Sequence, residues 1–343
     1  MEKAIAVDHL VKNFEVTEKE PGLLGSFKSL FSTKKKLVRA LKSISFTIQP
    51  GELVGFIGPN GAGKTTTLKI LSGLLYPTSG FASVIDFDPW ERKQEFLKKI
   101  TLIMGQKNQL WWDLPAIETF ELNKVIYEIP QKTYEENLNE LVTLLGIEKL
   151  LKTQVRKLSL GQRMRMELVA ALLHKPKILF LDEPTIGLDL IAQQKMRDFL
   201  FQYNKKYKAT ILLTSHNMGD LVDLAKRVIV IDEGRILFDG LLAELVGKFA
   251  IDKIIKVTLA NDNDIKNIEK IGKVKKIEFP QVVLSVPRTI TAVAASELLQ
   301  NFPVSDLTIE ELPIEEVIRK VFRGELKQKV PKVSKVPKVS MAR

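Results

Sequence analysis

The chain has 343 residues, a length typical of two domains, and its 45% hydrophobic and 27% charged residues are typical of a soluble globular protein. The sequence contains no cysteine, which excludes disulfides, thiol catalysis and cysteine-ligated metal centres, and its three histidines argue against a histidine-rich metal site. No apolar run approaches the roughly 20 residues that a membrane-spanning helix needs, and the N-terminus lacks the apolar stretch of a secretory signal. A cytoplasmic location is therefore expected.

The net charge of +11 is concentrated in two segments. The stretch Thr17–Arg39 has six basic residues against two acidic ones, and residues 326–343 have six basic residues and no acidic one. The rest of the chain is close to neutral, which does not favour a nucleic-acid-binding face, so no nucleic-acid partner is expected. The basic segments suit an anionic membrane surface or a partner protein, or they are solvated segments. The second contains the repeated sequence VPKVS and is expected to be a disordered tail.

Residues 4–245 alternate short apolar runs with helical stretches, a pattern that predicts a parallel α/β sheet. The strand-like runs are LVGFIG, KILFLDEP, TILLTSH and RVIVIDEG. Between the early and late strands, residues from about 115 to 175 have mostly helical patterns and predict a helical lobe. From 249 to about 325, KIIKVTL, VKKIEF and VVLSVP predict strands and TAVAASELLQNF predicts a helix. A small C-terminal α+β domain is expected there.

The segment GPNGAGKT fits the phosphate-binding P-loop pattern G-x-x-x-x-G-K-[ST], and it stands between a predicted strand and a predicted helix. Glycines allow the backbone N–H groups to wrap around phosphates, and the N-terminus of the following helix favours negative charge. The side chain of Lys64 is expected to bind the β- and γ-phosphates, and the hydroxyl of Thr65 can ligate Mg²⁺. The residues expected to contact the nucleotide are Gly58, Pro59, Asn60, Gly61, Ala62, Gly63, Lys64, Thr65 and Thr66.

The run KILFLDEP predicts a second buried strand that ends in two carboxylates. Many buried strands end in an acidic turn, so this feature alone is weak. Downstream of a P-loop it is interpreted as the Walker B segment, in which Asp182 would hold Mg²⁺ and Glu183 would orient or deprotonate the attacking water.

Between these two segments, LSLGQRMRMELVAALL places Ser159, Gly161 and Gln162 at the start of a predicted helix. Taken alone, this is an ordinary helix cap that could also bind an anion. In this position it resembles the signature sequence of ABC ATPases. Gln106 resembles the Q-loop glutamine of that family, and His216 in LLTSHNMGDL resembles its switch histidine. Asp189, in TIGLD, resembles the last residue of its D-loop.

The resemblance covers roughly residues 4–245 and implies a P-loop ABC cassette with a RecA-like core sheet, an antiparallel β part and a helical lobe. It implies an ATPase with ATP and Mg²⁺ as cofactors, in which Glu183, His216 and Gln106 take part in hydrolysis and Thr65, Gln106 and Asp182 are placed at the metal. Ser159, Gly161, Gln162 and Asp189 would contact ATP held by a second cassette. Phe14 fits the aromatic that stacks on adenine, or it is a core aromatic.

The finer resemblance is to ATPases of drug- and polymer-export systems, whose membrane permeases are separate chains. GQKNQLWWDLP and LSLGQRMRMEL carry that likeness, although Leu160 replaces the usual glycine of the signature. The function implied is coupling of ATP-driven cassette pairing and hydrolysis to export. An import ATPase, or a non-transport ABC-type ATPase acting on nucleic acid or ribosomes, is the alternative.

The same resemblance implies a second cassette as partner, most simply a second copy of this chain, and a membrane permease. The chain would therefore lie on the cytoplasmic face of the cell membrane. The adjacent Trp111 and Trp112 are expected to contact the permease, although one of them could equally be packed in the core. The late sequence LTIEELPIEEVIRKVF resembles a terminal helix appended to many export cassettes, so the C-terminal domain is expected to support or regulate pairing.

The stretch Thr17–Arg39 is interpreted as an insertion. Its apolar residues recur at three- and four-residue steps and would form a stripe on one side of a helix, and a lysine cluster follows. This pattern is typical of an interfacial helix at an anionic membrane. A segment that covers the cassette's own sheet and a contact with the permease are the other interpretations. The stripe consists of Leu23, Leu24, Phe27, Leu30 and Phe31.

Overall fold

A computed structural model describes residues 3–17, 35–105, 107–215, 224–261 and 265–322. The chain divides into two units, Met1–Leu242 and Ala243–Arg343. This division lies close to the domain boundary expected from the sequence, and the finer domain limits remain predictions. Among the described residues, no helix combines the length and apolarity needed to cross a membrane.

The first unit contains two β-sheets. Its strands are β1 (Ile5–Thr17), β2 (Lys35–Ile48), β3 (Leu53–Ile57), β4 (Ser79–Val84), β5 (Ile100–Met104), β6 (Ile178–Asp182), β7 (Thr210–Ser215), β8 (Arg227–Asp232) and β9 (Arg235–Leu241). The larger sheet has the order β5-β6-β7-β3-β8-β9, with neighbouring strands parallel except for the antiparallel pair β8 and β9. The smaller sheet, in the order β2-β1-β4, is antiparallel.

The parallel strands are apolar because both faces of the larger sheet are covered. β7 is buried along its whole length, and β6 and β8 are buried except at their ends. All four apolar runs singled out in the sequence form strands of this sheet. The carboxyl ends of β3, β6 and β7 therefore lie side by side at one edge, the usual place for a ligand site in α/β folds.

The helices of the first unit are α1 (Lys64–Leu71), α2 (Gln94–Leu97), α3 (Ala116–Ile126), α4 (Gln131–Leu145), α5 (Leu160–Leu172) and α6 (Leu190–Tyr207). Helices α3 to α5 occupy the region where a helical lobe was expected. Pro115 and Pro130 immediately precede α3 and α4, and Gly146 ends α4 in the left-handed conformation. The side-chain amides of Asn123 and Asn137 donate to carbonyl oxygens at the end of α5 and so tie the three helices together.

The antiparallel pairing of β1 and β2 includes both ends of the segment interpreted as an insertion. Thr17 pairs with Lys35, and Glu15 pairs with Leu37, so residues 35–39 lie in β2. The limits of the insertion stay a prediction. The predicted apolar stripe lies outside the described residues, as does the predicted basic tail.

The second unit contains one antiparallel sheet in the order β11-β12-β10-β13. Alternate residues of β10 and β12 pack with α9 in one apolar core, and Val317, Ile318 and Val321 of α10 are also buried. Lys320 of α10 forms an ion pair with Asp252 at 3.0 Å. The elements are α7 (Leu242–Phe249, which begins at the unit boundary), β10 (Asp252–Leu259), α8 (Ile265–Ile268), β11 (Lys273–Glu278), β12 (Gln281–Pro287), α9 (Thr291–Asn301), β13 (Val304–Glu311) and α10 (Ile314–Phe322).

The late sequence compared above with a terminal helix forms a strand and then a helix. Its first half is β13, which pairs with β10 so that Leu307 lies opposite Val257 and Ile309 opposite Ile255. Pro313 separates the two halves, and its carbonyl oxygen accepts hydrogen bonds from the first turn of α10. The single-helix interpretation is wrong because alternation with period two dominates before the proline.

Candidate functional site

The P-loop lies between the end of β3 and the start of α1, as its sequence predicts. Gly61 and Gly63 have φ values of +83° and +109°, a region that favours glycine. Gly58 is required for space, because an added Cβ would lie 2.3 Å from the carbonyl oxygen of Ile231. The first turn of α1 contains no acidic residue, so the positive end of the helix is not neutralised there by an acidic side chain of its own first turn.

Lys64 holds a buried ammonium group against this loop. Its Nζ donates to the carbonyl oxygens of Gly58 at 2.6 Å and Pro59 at 3.1 Å, and it lies 3.8 Å from Glu183 Oε1. Burial lowers the pKa of Lys64, and the nearby carboxylates of Glu183 and Asp182 oppose that shift. The ammonium is therefore positioned by backbone dipoles next to the strand-ending carboxylates.

Asp182 receives two hydroxyl hydrogen bonds at the end of β6. Thr65 Oγ1 donates to its Oδ2 at 2.7 Å, and Thr214 Oγ1, from the neighbouring strand β7, donates to its Oδ1 at 2.7 Å. A hydroxyl and a carboxylate that converge in this way are the hard oxygen donors that Mg²⁺ prefers, with substrate phosphates completing its shell. Within the described residues, no group of three or more His, Cys, Asp or Glu side chains forms a metal cage. The donor set thus fits a phosphate-bound Mg²⁺.

Glu183 stands directly after β6 with a φ of +53°, an uncommon conformation for a residue with a side chain. Its backbone N–H donates to both the carbonyl oxygen and the hydroxyl of Thr214 at 3.1 Å. Gly105, at the end of β5, approaches so closely that an added Cβ would lie 2.2 Å from the carbonyl oxygen of Glu183. The strained turn is therefore held from two neighbouring strands, and such strain is common at functional sites.

The P-loop residues 59–66 line one cavity of about 440 Å³ together with Asp182 and Glu183, whereas Gly58 is not part of its lining. Five lining residues were not identified from the sequence, among them Lys69 of α1 and Lys107, which follows β5. Thr214 was also missed, because in TILLTSH it looks like one more residue of a buried strand. The cavity lining consists of Ala40, Pro59, Asn60, Gly61, Ala62, Gly63, Lys64, Thr65, Thr66, Lys69, Met104, Gly105, Lys107, Asp182 and Glu183.

Ser159 and Gln162 form a reciprocal cap at the start of α5. Ser159 Oγ accepts from the N–H of Gln162 at 3.2 Å, and Gln162 Oε1 accepts from the N–H of Ser159 at 2.9 Å. Leu160 lies against the D-loop segment, since a Cβ added to Gly187 would be 3.0 Å from its Cδ2. Asp189 caps α6 by accepting from the N–H of Ala192 at 2.8 Å.

The structure does not bring every predicted residue into the cavity. Ser159, Gly161, Gln162 and Asp189 are not part of its lining, and neither is Phe14. Phe14 lies half-buried on β1 opposite Val38, with the ammonium of Lys12 5.0 Å from its ring centre. Gln106 and His216 lie outside the described residues, so their predicted roles stay predictions.

Comparison with known proteins agrees with this geometry. The family model "ABC transporter" matches residues 41–186, and the model "EvrA-like ABC transporter, C-terminal domain" matches residues 252–310. The ABC transporter ATP-binding protein NatA of Bacillus subtilis (strain 168) is 34% identical over 215 residues, which span 63% of this chain and 87% of NatA. The chain belongs to the ATP-binding subunits of ABC transporters. It is thus an ATP-binding protein of a family of ATPases.

This ABC cassette spans different fractions of the length of its other relatives. The bacitracin transport ATP-binding protein BcrA of Bacillus licheniformis is 34% identical over 58% of this chain and 64% of BcrA. Among solved structures, cbiO1 from Clostridium perfringens has 25% identity and a TM-score of 0.59, covering 72% of this chain and 92% of cbiO1. A structure described as the ATP-binding subunit of an ABC transporter, at 23% identity, has the same TM-score of 0.59 over 72% of this chain and 93% of its own, and supports the fold.

Proposed function

We propose that this ABC cassette binds MgATP in the cavity and hydrolyses it to drive export through a separate membrane permease on whose cytoplasmic face it lies. The observation that carries the ATPase part is the convergence of Lys64, Thr65, Asp182 and Glu183 in one cavity at the carboxyl edge of the parallel sheet. These are the cation, hydroxyl and carboxylates that phosphoryl transfer to water requires.

Each group has a task set by its position. The N–H groups at the start of α1 and the Lys64 ammonium hold the phosphates, and the ammonium exchanges loop carbonyls for phosphate oxygens. Thr65 and Asp182 would hold Mg²⁺, which supplies charge neutralisation on the β- and γ-phosphate oxygens. Glu183 orients the attacking water and accepts its proton while the bond from the γ-phosphorus to the bridging oxygen breaks, giving ADP and phosphate.

The signature residues are proposed to act on ATP held by a second copy of this chain. Ser159, Gly161, Gln162 and Asp189 lie at the N-termini of α5 and α6, where free N–H groups and helix dipoles favour phosphate. None of them lines the chain's own cavity, which supports a site completed in trans. The cassette MJ0796, a structural neighbour described as a bacterial ABC transporter cassette, is described as dimeric. Gln106 and His216 are proposed to complete the same site.

The permease is proposed to contact the segment that follows Gln106. Trp111 and Trp112 are 51% and 48% exposed there, an unusual exposure for two adjacent indoles. The export direction is supported by relatives named for bacitracin transport and linearmycin resistance. A methionine import ATP-binding protein of Enterococcus faecalis, 29% identical over 90% of this chain, keeps import as the alternative direction.

The decisive experiment combines a Glu183→Gln variant with identification of the membrane partner. The variant should bind MgATP and accumulate as an ATP-dependent dimer without turnover, because only the proton acceptor is removed. Glu233→Gln is the matched control, since Glu233 also follows a strand-ending aspartate but its side chain is 81% exposed. Full ATPase activity in Glu183→Gln would contradict the proposal.

The transport part is tested by isolating the tagged full-length chain from its native membranes. A membrane protein should co-purify with it, and ATP added to inside-out vesicles that contain the complex should drive substrate inward if the system exports. Co-purification with ribosomes or DNA in place of a membrane protein would contradict a transport role.

A further inference from the structure

A buried carboxylate in the middle of α5 has no part in the ATP site. Glu167 is 3% exposed, and its Oε1 accepts hydrogen bonds from the backbone N–H groups of Gln109 at 2.9 Å and Leu110 at 3.3 Å. Burial raises the pKa of Glu167, and these two hydrogen bonds oppose that shift. The carboxylate is therefore used to hold a loop backbone.

The loop that it holds leads directly to the exposed tryptophans. We call residues 109–114 the docking segment. In the first turn of α5, the guanidinium of Arg163 lies 5.4 Å from the centre of the Trp112 ring. Just before α5, the N–H of Arg156 donates to the carbonyl oxygen of Trp112 at 3.0 Å, and its side chain forms an ion pair with Asp113 at 3.1 Å. The docking segment is thus held by contacts with α5 and with the residues just before it.

The first turn of α5 carries the signature cap. Ser159 and Gln162 stand at its first turn, and Glu167 follows further along the same continuous helix of 13 residues. A helix transmits a displacement of its first turn to its middle because its hydrogen-bonded backbone is stiff on this length. A rigid link between the signature cap and the docking segment then requires only that the docking segment move together with the helix.

Simple packing does not explain a carboxylate at this position. Its neighbours Met166 and Leu168 are buried apolar residues, and an apolar side chain at 167 would avoid the desolvation of a charge. What an apolar side chain cannot do is accept two backbone hydrogen bonds and so fix the segment in one place. The charge is better explained by positioning than by stability.

We propose that Glu167 is a positioning residue that makes α5 and the docking segment move as one body. Engagement of the signature cap with ATP would then reach Trp111 and Trp112 through this carboxylate. The inference rests on the proposed function, since it assumes that the cap contacts ATP and that the docking segment contacts the permease.

The test uses the tryptophans as reporters in the full-length chain. The sequence has three tryptophans, so Trp90→Phe leaves only Trp111 and Trp112 to emit. Glu183→Gln is added to hold ATP without turnover. In this background, MgATP should shift the tryptophan emission. Glu167→Leu should reduce the shift, because the contacts of Arg156 and Arg163 remain, and should accelerate hydrogen exchange at the amides of residues 109 and 110, with ATP affinity unchanged.

Glu167→Gln is the matched control, because its amide oxygen can accept the same two hydrogen bonds and should restore the emission shift. If Glu167→Leu fails to fold, Glu167→Asp replaces it, since the shorter side chain cannot reach both N–H groups. An undiminished shift in a variant with faster exchange at 109 and 110 would overturn the inference. So would an ATP-binding background with no shift at all, whereas a background that does not bind ATP would overturn the proposed function itself.

Discussion

The hydroxyl of Thr65 donates a 2.7 Å hydrogen bond to the carboxylate of Asp182, although 117 residues separate the two in the chain. This contact joins the start of α1 to the end of β6 and so connects the phosphate loop to the strand that carries the carboxylates. Because this hydrogen bond is short and partly buried, it holds the two oxygen atoms proposed as Mg²⁺ ligands next to each other before any phosphate is bound. Substitutions on either side of this contact should therefore change the affinity for ATP.

Lys64→Ala should weaken ATP binding by about tenfold or more, since a charge-assisted hydrogen bond contributes roughly 1.5–3 kcal/mol. The affinity is measured by calorimetric titration with MgATP. Lys98→Ala, in the same unit, is the control, because that ammonium pairs with Glu128 and does not line the cavity. Equal affinities for the two variants would contradict the P-loop assignment.

Thr214→Val should lower both turnover and stability. The substitution keeps the shape but removes the hydroxyl that bonds Asp182 Oδ1 and the N–H of Glu183. We expect a loss of about 1–3 kcal/mol in the free energy of unfolding, measured with urea, because a partly buried carboxylate oxygen loses its donor. Thr214→Ser should recover most of the loss in both properties, and a valine variant with native stability would show that the hydroxyl is dispensable.

The role of Thr214 shows where the sequence stopped being informative. The P-loop and the strand-ending carboxylates were predictable because local pattern and chemistry agree: glycines where φ is positive, then a lysine and a threonine at a helix start. Thr214 and Gly105 matter only because β7 and β5 flank β6, and strand order cannot be read from one sequence. Lys107 was missed for the same reason, whereas Lys69 was missed although it lies in α1, close to Thr65 in the chain.

The one wrong assignment, in the late sequence of the second unit, has a physical cause. In the second unit, charged residues at alternating positions were grouped with a following amphipathic helix, although Pro313 separates strand from helix. The pairing of β13 with β10 overrode the helix-like composition there.

Gly105→Ala should reduce ATPase activity more than it reduces ATP binding. The new Cβ would lie 2.2 Å from the carbonyl oxygen of Glu183 and would have to displace it. This displacement would move the carboxylate that acts on water. Overpacking of this kind costs about 1–3 kcal/mol of stability. Gly247→Ala is the matched control, because nothing lies within 4 Å of its added Cβ. Steady-state ATPase assays on both variants check the prediction, and parallel activities would refute it.

Phe14→Ala distinguishes adenine stacking from packing. Stacking on a base is worth about 1–3 kcal/mol, so its loss should lower the affinity for ATP while the affinity for inorganic triphosphate stays unchanged. Both are measured by competition with a fluorescent nucleotide. A lower unfolding midpoint with unchanged ATP affinity would show that Phe14 is a packing residue of β1.

Truncation after Lys248 should leave ATP binding intact and weaken dimerisation or coupling. The second unit has its own apolar core, and the cavity lining among the described residues comes from residues 40–183. Titration with MgATP and light scattering of the Glu183→Gln form measure the two properties separately. A folded truncation that cannot bind ATP would show that the C-terminal unit is part of the site.

The ladder between β1 and β2 brings the two ends of the segment 18–34 next to each other. Thr17 and Lys35 face each other across the two strands, so the residues at 18–34 enter and leave the cassette at neighbouring points. The entropy of closing a loop changes only slowly with its length, and antiparallel strands can be joined by as little as a two-residue turn. Replacing 18–34 with Asn-Gly should therefore yield a cassette that folds, which offers a clean way to graft or remove sequence at this edge.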